Sequence, residues 1–264
     1  MGTSGVPTAV QGPVRRERLE GGALWKLVLA TPRANVLDAA KIAALTEAFR
    51  EAQAERGLRC VLLEGEGPHF SFGASVEEHL PERFEAMLAA FHGLFRTMLA
   101  AAVPTAAIVR GQCLGGGLEL ASFCTRLFAA PDAKLGQPEI KLGVVAPMAS
   151  FWLPERIGRG AAEDLLLTGR TLTAEEARAL GLVDEIADDP GAAALAWART
   201  HLLPLSASSL RAAQRLARAG LARRFELEIA AAERAYRDEL MRTRDASEGL
   251  RAFLEKRPAR WSDA

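Results

Sequence analysis

Residues 111–124, GQCLGGGLELASFC, set three consecutive glycines (Gly115, Gly116, Gly117) just ahead of a glutamate, Glu119. Glycine weakens a regular element, so such a run needs a reason. The apolar stretch TAAIVRG precedes it and helix-forming residues follow, which places it at a strand-to-helix junction. The first turn of a helix has free N–H groups and a partial positive charge. Where glycines remove the side chains, a carbonyl oxygen can reach those groups, and each donor aimed at a developing oxyanion is worth roughly 3–4 kcal/mol. Glu119, one turn beyond Gly116, is near enough to handle a proton on whatever binds there.

Three other readings compete. A phosphate loop needs GxxxxGK[ST] and a dinucleotide site needs GxGxxG after a first strand; neither pattern is present. Gly111, Cys113 and Gly115 spell GxCxG, the form of a nucleophile elbow, but that constellation needs a downstream acid and histidine, and only His201 follows. If the glycines served packing alone, Glu119 would be a solvated charge amid apolar neighbours, an odd place for a carboxylate. An oxyanion hole accounts for both the glycines and the acid.

Such a hole usually has two donors, and FSFGASVEEHLPE offers the second. Gly73 permits a tight turn, and Ser75 with Glu78 spells a capping box, leaving the N–H of Ala74 pointing outward. A second carboxylate, Glu139, follows the rigid Gln137-Pro138 pair in KLGQPEIKLG, 20 residues beyond Glu119. Two carboxylates converging on one site push their pKa values apart and give one acid and one base. Spacing alone does not bring them together, and a solvated loop glutamate is the plainer alternative.

The surrounding pattern is α/β. Residues 14–19 and 24–30 flank EGG as a hairpin, and Asp38 caps a helix carrying Ile42, Leu45 and Phe49. LRCVLLEG and TAAIVRG read as buried strands. An amphipathic helix is expected from Pro81, and TRLFAAP, AKLGQP and GLVDEIA as short strands. From Pro154 the chain becomes mainly helical, with a capping box at Thr173 and Glu176 and a stop at Gly181. Residues 190–256 are helical in pattern, a tail that packs on its own domain or on a neighbouring subunit.

Composition narrows the classes. The 264 residues are 49% hydrophobic and 25% charged, as in an ordinary globular protein. Lys+Arg 33 balances Asp+Glu 33, so the chain lacks the basic field of a nucleic-acid binder. Cys60, Cys113 and Cys124 form neither a disulfide framework nor a metal spacing, and the four histidines are scattered. There is no apolar run of membrane-spanning length, and residues 1–12 read as a flexible terminus without a signal core. A cytoplasmic location is the expectation.

Together these segments resemble the crotonase, or enoyl-CoA hydratase/isomerase, superfamily. NVLD, FSFGASVEE, GQCLGGGLELASFC, AKLGQPEIKLG, ERIG, AEDLLLTGRTLTAEEARALGLVDEI and EGLRAFLEKRPARW follow the family's order over most of the chain. The resemblance implies a spiral of ββα repeats over residues 13–190, and a helical region, 191–264, that builds homotrimers, often paired into hexamers. It implies an acyl-CoA thioester whose oxygen accepts from the N–H groups of Ala74 and Gly116, and a water gripped by Glu119 and Glu139. Coenzyme A, as part of the substrate, would lie along Arg33, Ala34, Val36, Phe72, Gly73, Ser75 and Val76, with Phe253 and Lys256 reaching it from the last helix. No metal or separate cofactor is implied, and neither a nucleic acid nor a membrane partner.

Two departures stand out. Ser75 takes the place of an aspartate common in the family, and APMASFW (residues 146–152) replaces a glycine-rich PGxGG. Met148, Phe151 and Trp152 in that segment are expected to line a pocket for a bulky apolar acyl group. This segment, with FSFGASVEEHLPE and LPERIGRGAAEDLLLTGR, is similar to the cyclohexa-1,5-diene-1-carbonyl-CoA hydratases of aromatic degradation.

Overall fold

The computed structural model describes residues 12–31 and 34–264. The runs around EGG form the expected hairpin: β1 (Val14–Leu19) and β2 (Leu24–Leu29) pair antiparallel, with Leu19 opposite Leu24. From β2 onward the sheet is parallel, adding β3 (Cys60–Gly65), β4 (Thr105–Val109), β6 (Arg126–Ala129) and β9 (Glu185–Ile186) in the order β1-β2-β3-β4-β6-β9. The apolar run of β3 is continuous because both of its faces are covered. Val61 and Leu63 enter the main core, while Cys60 and Leu62 face a second core closed by Ala194, Ala198 and Leu202. The first two of those belong to α7 (Pro190–His201).

A second, smaller layer positions the site. β5 (Gln112–Leu114) and β7 (Lys134–Gly136) are parallel, and β8 (Thr171–Thr173) adds antiparallel to β7. Isolated bridges extend this layer outward, Ser71 to Cys113 and Leu37 to Ala74. The chain therefore gives one strand to each layer and then a helix. After β4 and β5 comes α3 (Gly116–Ser122), and after β6 and β7 comes α4 (Pro147–Ile157). Ser71, β5 and β7 run side by side in one direction, so the loops after them emerge at the same edge. Those loops carry Ala74, Gly116 and Glu139. Sites in parallel sheets form at such strand ends for this reason.

Helices α1 (Ala39–Ala54) and α2 (Phe84–Ala101) cover the main core. Asp38 caps α1 as expected, accepting from Lys41 N at 2.8 Å. The chain continues through α5 (Arg159–Thr168), α6 (Ala174–Ala179), α8 (Ala207–Ala217), α9 (Ala219–Asp238) and α10 (Arg244–Leu254). Thr173 and Glu176 form the full capping box of α6. Helix α9 lies antiparallel on α2, through Arg96 with Glu226, His92 with Glu233, and the rings of Phe84 and Tyr236. Among the described residues no helix is long and apolar enough to cross a membrane.

Two local expectations are corrected. Helix α2 starts at Phe84, because Pro81 opens a turn that Arg83 closes by donating to Leu80 O. Ser75 makes no side-chain cap, and Glu78 accepts instead from Ala39 N at the open end of α1. A short 3₁₀ turn (Val76–His79) offers less unsatisfied backbone than the first turn of α1 does.

Candidate active site

Ala74 and Gly116 both line one cavity. In the bridge to Leu37, Gly73 O accepts from Leu37 N and Ser75 N donates to Leu37 O. Successive groups of an extended chain alternate in direction, so the N–H of Ala74 between them points the other way. The N–H of Gly116 opens α3 and has no partner within the helix. Neither amide joins a backbone hydrogen bond among the described residues. The two segments lie close together: a Cβ placed on Gly116 would lie 3.1 Å from Ala74 N and 3.2 Å from Phe91 Cζ.

Gly115 is required on two counts. Its φ of 52° with ψ of −129° is open to glycine alone among common residues, and a Cβ there would lie 2.6 Å from Glu139 Oε1. The glycine loop and the Glu139 loop therefore touch. Gly115 N donates to Gly136 O at 2.9 Å, and buried Gln137 returns its amide nitrogen to Gly115 O at 3.0 Å in the orientation that satisfies both ends of the amide. The three glycines thus answer three neighbours, since Gly117 packs against Ser71 Cβ, 2.7 Å from where its own Cβ would stand.

Glu119 and Glu139 line one cavity of about 660 Å³ together with Ala74 and Gly116. Glu119 is 4% exposed, and its Oε1 accepts from Ala149 N at 2.7 Å. Ala149 lies in the first turn of α4, whose cap residue Ala146 has no side-chain oxygen to offer, so Glu119 caps α4 from outside. Oε2 of Glu139 is buried without a partner. Burial raises the pKa of both carboxyls. For Glu119 the charge of Glu139 raises it further, while the Ala149 N–H opposes. Both shifts favour the protonated form, the direction that burial and a neighbouring like charge impose on a carboxyl.

The remaining expected residues divide. Val36, Phe72, Gly73, Ser75 and Val76 line the cavity, and Phe253 reaches it from α10. Ala34 is not on its wall; its carbonyl accepts from Phe72 N at 2.9 Å and fixes that loop. Lys256 follows α10 outside the lining, and Arg33 lies outside the described residues. Met148, Phe151 and Trp152 do not line the cavity, which corrects the expected acyl pocket. Met148 is in the core, Phe151 packs edge-on against Phe225, and Trp152 packs on Phe123 while its Nε1 donates to Ser122 O. The apolar residues on the cavity wall include Met87, Leu88, Phe91, Val144 and Ala146. Cys113 is fully buried in β5 with its thiol pKa raised by burial, so it does not serve as a nucleophile.

Several contributors carry no local sequence signal. Asn35, buried at φ 45°, donates from Nδ2 to Glu66 O and His69 O and so ties two loops of the cavity together. Lys141, His79 and His92 also line the cavity. A helix-start amide, a strand-loop amide, the buried Glu119 and the half-buried Glu139 thus line one cavity in a ββα spiral. The chain belongs to the enoyl-CoA hydratase/isomerase family, whose model matches residues 20–264.

Its relatives are specific. Cyclohexa-1,5-dienecarbonyl-CoA hydratase of Thauera aromatica is 54% identical over 242 residues, spanning 92% of this chain and 94% of its own. A putative enoyl-CoA hydratase of Thermus thermophilus is 36% identical over 255 residues, 92% of this chain and 99% of its own. Among solved structures, EchA1_1 from Mycobacterium paratuberculosis has a TM-score of 0.85 at 32% identity, covering 96% of this chain and 99% of that one.

Proposed function

We propose that this enzyme adds water to an enoyl-CoA, with a cyclic dienoyl-CoA thioester as its substrate class. The observation that carries the reading is the pairing of Glu119 with Glu139 on the cavity that Ala74 and Gly116 also line. The thioester oxygen accepts hydrogen bonds from the two amides. Attack of water on the β-carbon moves charge onto that oxygen, and donors fixed in advance stabilise it without reorganising. One carboxylate takes a proton from the water while the other, protonated, delivers one to carbon. Holding the water between them removes much of the entropic barrier. In a ring diene the enolate charge spreads over the second double bond, so the reacting skeleton is flat and apolar. The wall of Met87, Leu88, Phe91, Val144 and Ala146 suits such a ring. The 54% identity to the Thauera hydratase supports the cyclic substrate.

Incubating the enzyme in ¹⁸O-labelled water with cyclohexa-1,5-dienecarbonyl-CoA and with crotonyl-CoA, followed by mass analysis, tests the proposal. A labelled hydration product from the ring substrate, formed faster than from crotonyl-CoA, is expected. An isomer of unchanged mass would assign the site to double-bond migration. A trimer or dimer of trimers belongs to the same proposal, and sedimentation equilibrium tests it.

A further inference from the structure

Glu139 sits on a short 3₁₀ turn, Pro138–Leu142, and the way that turn is held sets where its carboxylate lies. Gly143 ends the turn. Its N–H donates to Ile140 O at 3.1 Å, and the next amide, Val144 N, donates to the carbonyl of Glu139 at 3.3 Å. These bonds pass the position of Gly143 back to the backbone of Glu139. Leu142 and Val144, on either side of Gly143, both line the cavity. The carboxylate itself has little slack, since a Cβ on Gly115 would lie 2.6 Å from Glu139 Oε1.

What meets Gly143 comes from the C-terminal part of the chain. A Cβ there would lie 2.8 Å from Asp245 O, in the first turn of α10, and 3.1 Å from Cζ3 of Trp261. Further along α10, Gly249 packs on the carbonyl of Leu142, and a Cβ on it would lie 2.9 Å from Cη2 of the same indole. Two glycines on neighbouring segments thus leave a corner, and the edge of Trp261 fills it. Trp261 is 48% exposed, so burial alone is a weak reason for its place. Anchoring the tail does not explain it either. Asp245 already accepts from Ser262 N, Ser262 Oγ and Asp263 N, each at 2.8 Å. Those bonds fix the residues after Trp261 and keep its ring against the corner.

We infer that Trp261 is a positioning residue for the reaction: its indole edge wedges the end of the Glu139 turn against α10 and so sets where the Glu139 carboxylate stands in the cavity. Without the ring, Gly143 and Gly249 leave a gap into which the turn can relax. A displacement of about 1 Å at a reacting group can cost about a hundredfold in rate. This rests on the hydration reading above, in which Glu139 is one of the two carboxyls that handle the water.

The test uses the full chain as wild type, Trp261→Ala and Trp261→Phe, with cyclohexa-1,5-dienecarbonyl-CoA as substrate. Trp261→Ala is expected to lower kcat about tenfold or more with KM within about twofold, because Trp261 is not on the cavity wall. Trp261→Phe, which keeps a ring in the corner, should recover most of the loss. Burial raises the pKa of Glu139, and a carboxyl released from its packed place gains water. The acid limb of the kcat/KM profile should therefore move toward the ordinary carboxylate range in Trp261→Ala. Hydrogen exchange should become faster in peptides spanning residues 138–146 of that variant and stay unchanged over residues 115–124. Wild-type kcat and exchange in Trp261→Ala would overturn the inference. So would a rise in KM at constant kcat, or a loss of activity no larger than the loss of folded protein at the assay temperature. If wild type hydrates nothing, the hydration reading fails on turnover, while the exchange comparison still decides whether Trp261 holds the turn.

Discussion

Two sets of glutamates in this molecule differ in almost everything except their side chain. Near the C-terminus, Glu248 is met by both nitrogens of Arg257 and by Arg260 N, and these donors pull its pKa down to about 2. In the cavity, Glu119 has one backbone donor and Glu139 Oε2 has none, and both pKa values are raised. The difference lies in partners: Glu248, half-buried beside Arg257, is held ionised, while the buried Glu119 and the half-buried Glu139 form no salt bridge among the described residues. The contrast teaches where chemistry is possible. A carboxylate beside an arginine holds structure, and one buried without a cation is available to react.

The largest effect should come from removing the charges. Glu119→Gln and Glu139→Gln are each expected to lower turnover by about 10³-fold or more, whereas Glu248→Gln stays within about twofold of wild type. Steady-state hydration rates check this, and parity between the two sets would erase the contrast. Next in size is the backbone. Gly115→Ala places a methyl group against Glu139 Oε1 at a positive φ, and Gly116→Ala crowds Ala74 N; each should lose about a hundredfold in kcat/KM. Wild-type rates in Gly116→Ala would mean that the two amides do not act together.

Stability gives a smaller and opposite signal. The folded pKa of Glu139 is raised above the unfolded value of about 4.3, so the native state is favoured below that value and loses the advantage as pH rises through the folded pKa. Glu139→Gln should therefore melt a few degrees higher than wild type at pH 8, with the gap closing toward pH 4. Glu248 has the reverse sign, since its lowered pKa adds stability above the unfolded value that is lost as pH falls toward 2. Glu248→Gln should melt slightly lower at pH 7, by less in high salt. Scanning calorimetry at pH 4, 7 and 8 reads both. The smallest effect concerns α4: Trp152→Phe should alter stability without changing the preference between cyclic and linear substrates, because Trp152 does not line the cavity.

The parts of the site readable from sequence are those set by short-range geometry. The glycine run, Glu119 and the Gln137-Pro138-Glu139 turn each carry their reason within a few residues, and the parallel strands that gather them follow from apolar runs alternating with helices. Met148, Phe151 and Trp152 share one face of α4, and an apolar helix face looks alike whether it meets a cavity or a core. In the fold that face meets Phe123 and Phe225, and the residues just before the helix reach the cavity. His92 and Glu233 are 141 residues apart, and no local pattern announces their contact. Asn35 is similar, since its loop-tying role depends on carbonyls of Glu66 and His69 that only the folded chain brings near.

The sharing of a proton by Glu119 and Glu139 is tested most directly by the pH dependence of kcat/KM for the cyclic dienoyl-CoA. A bell-shaped profile is predicted, with both limbs above the ordinary carboxylate range, one for ionising the first carboxyl and one for losing the shared proton. A rate that stays level from about pH 5 to 9 would show two independently ionised glutamates and contradict the account.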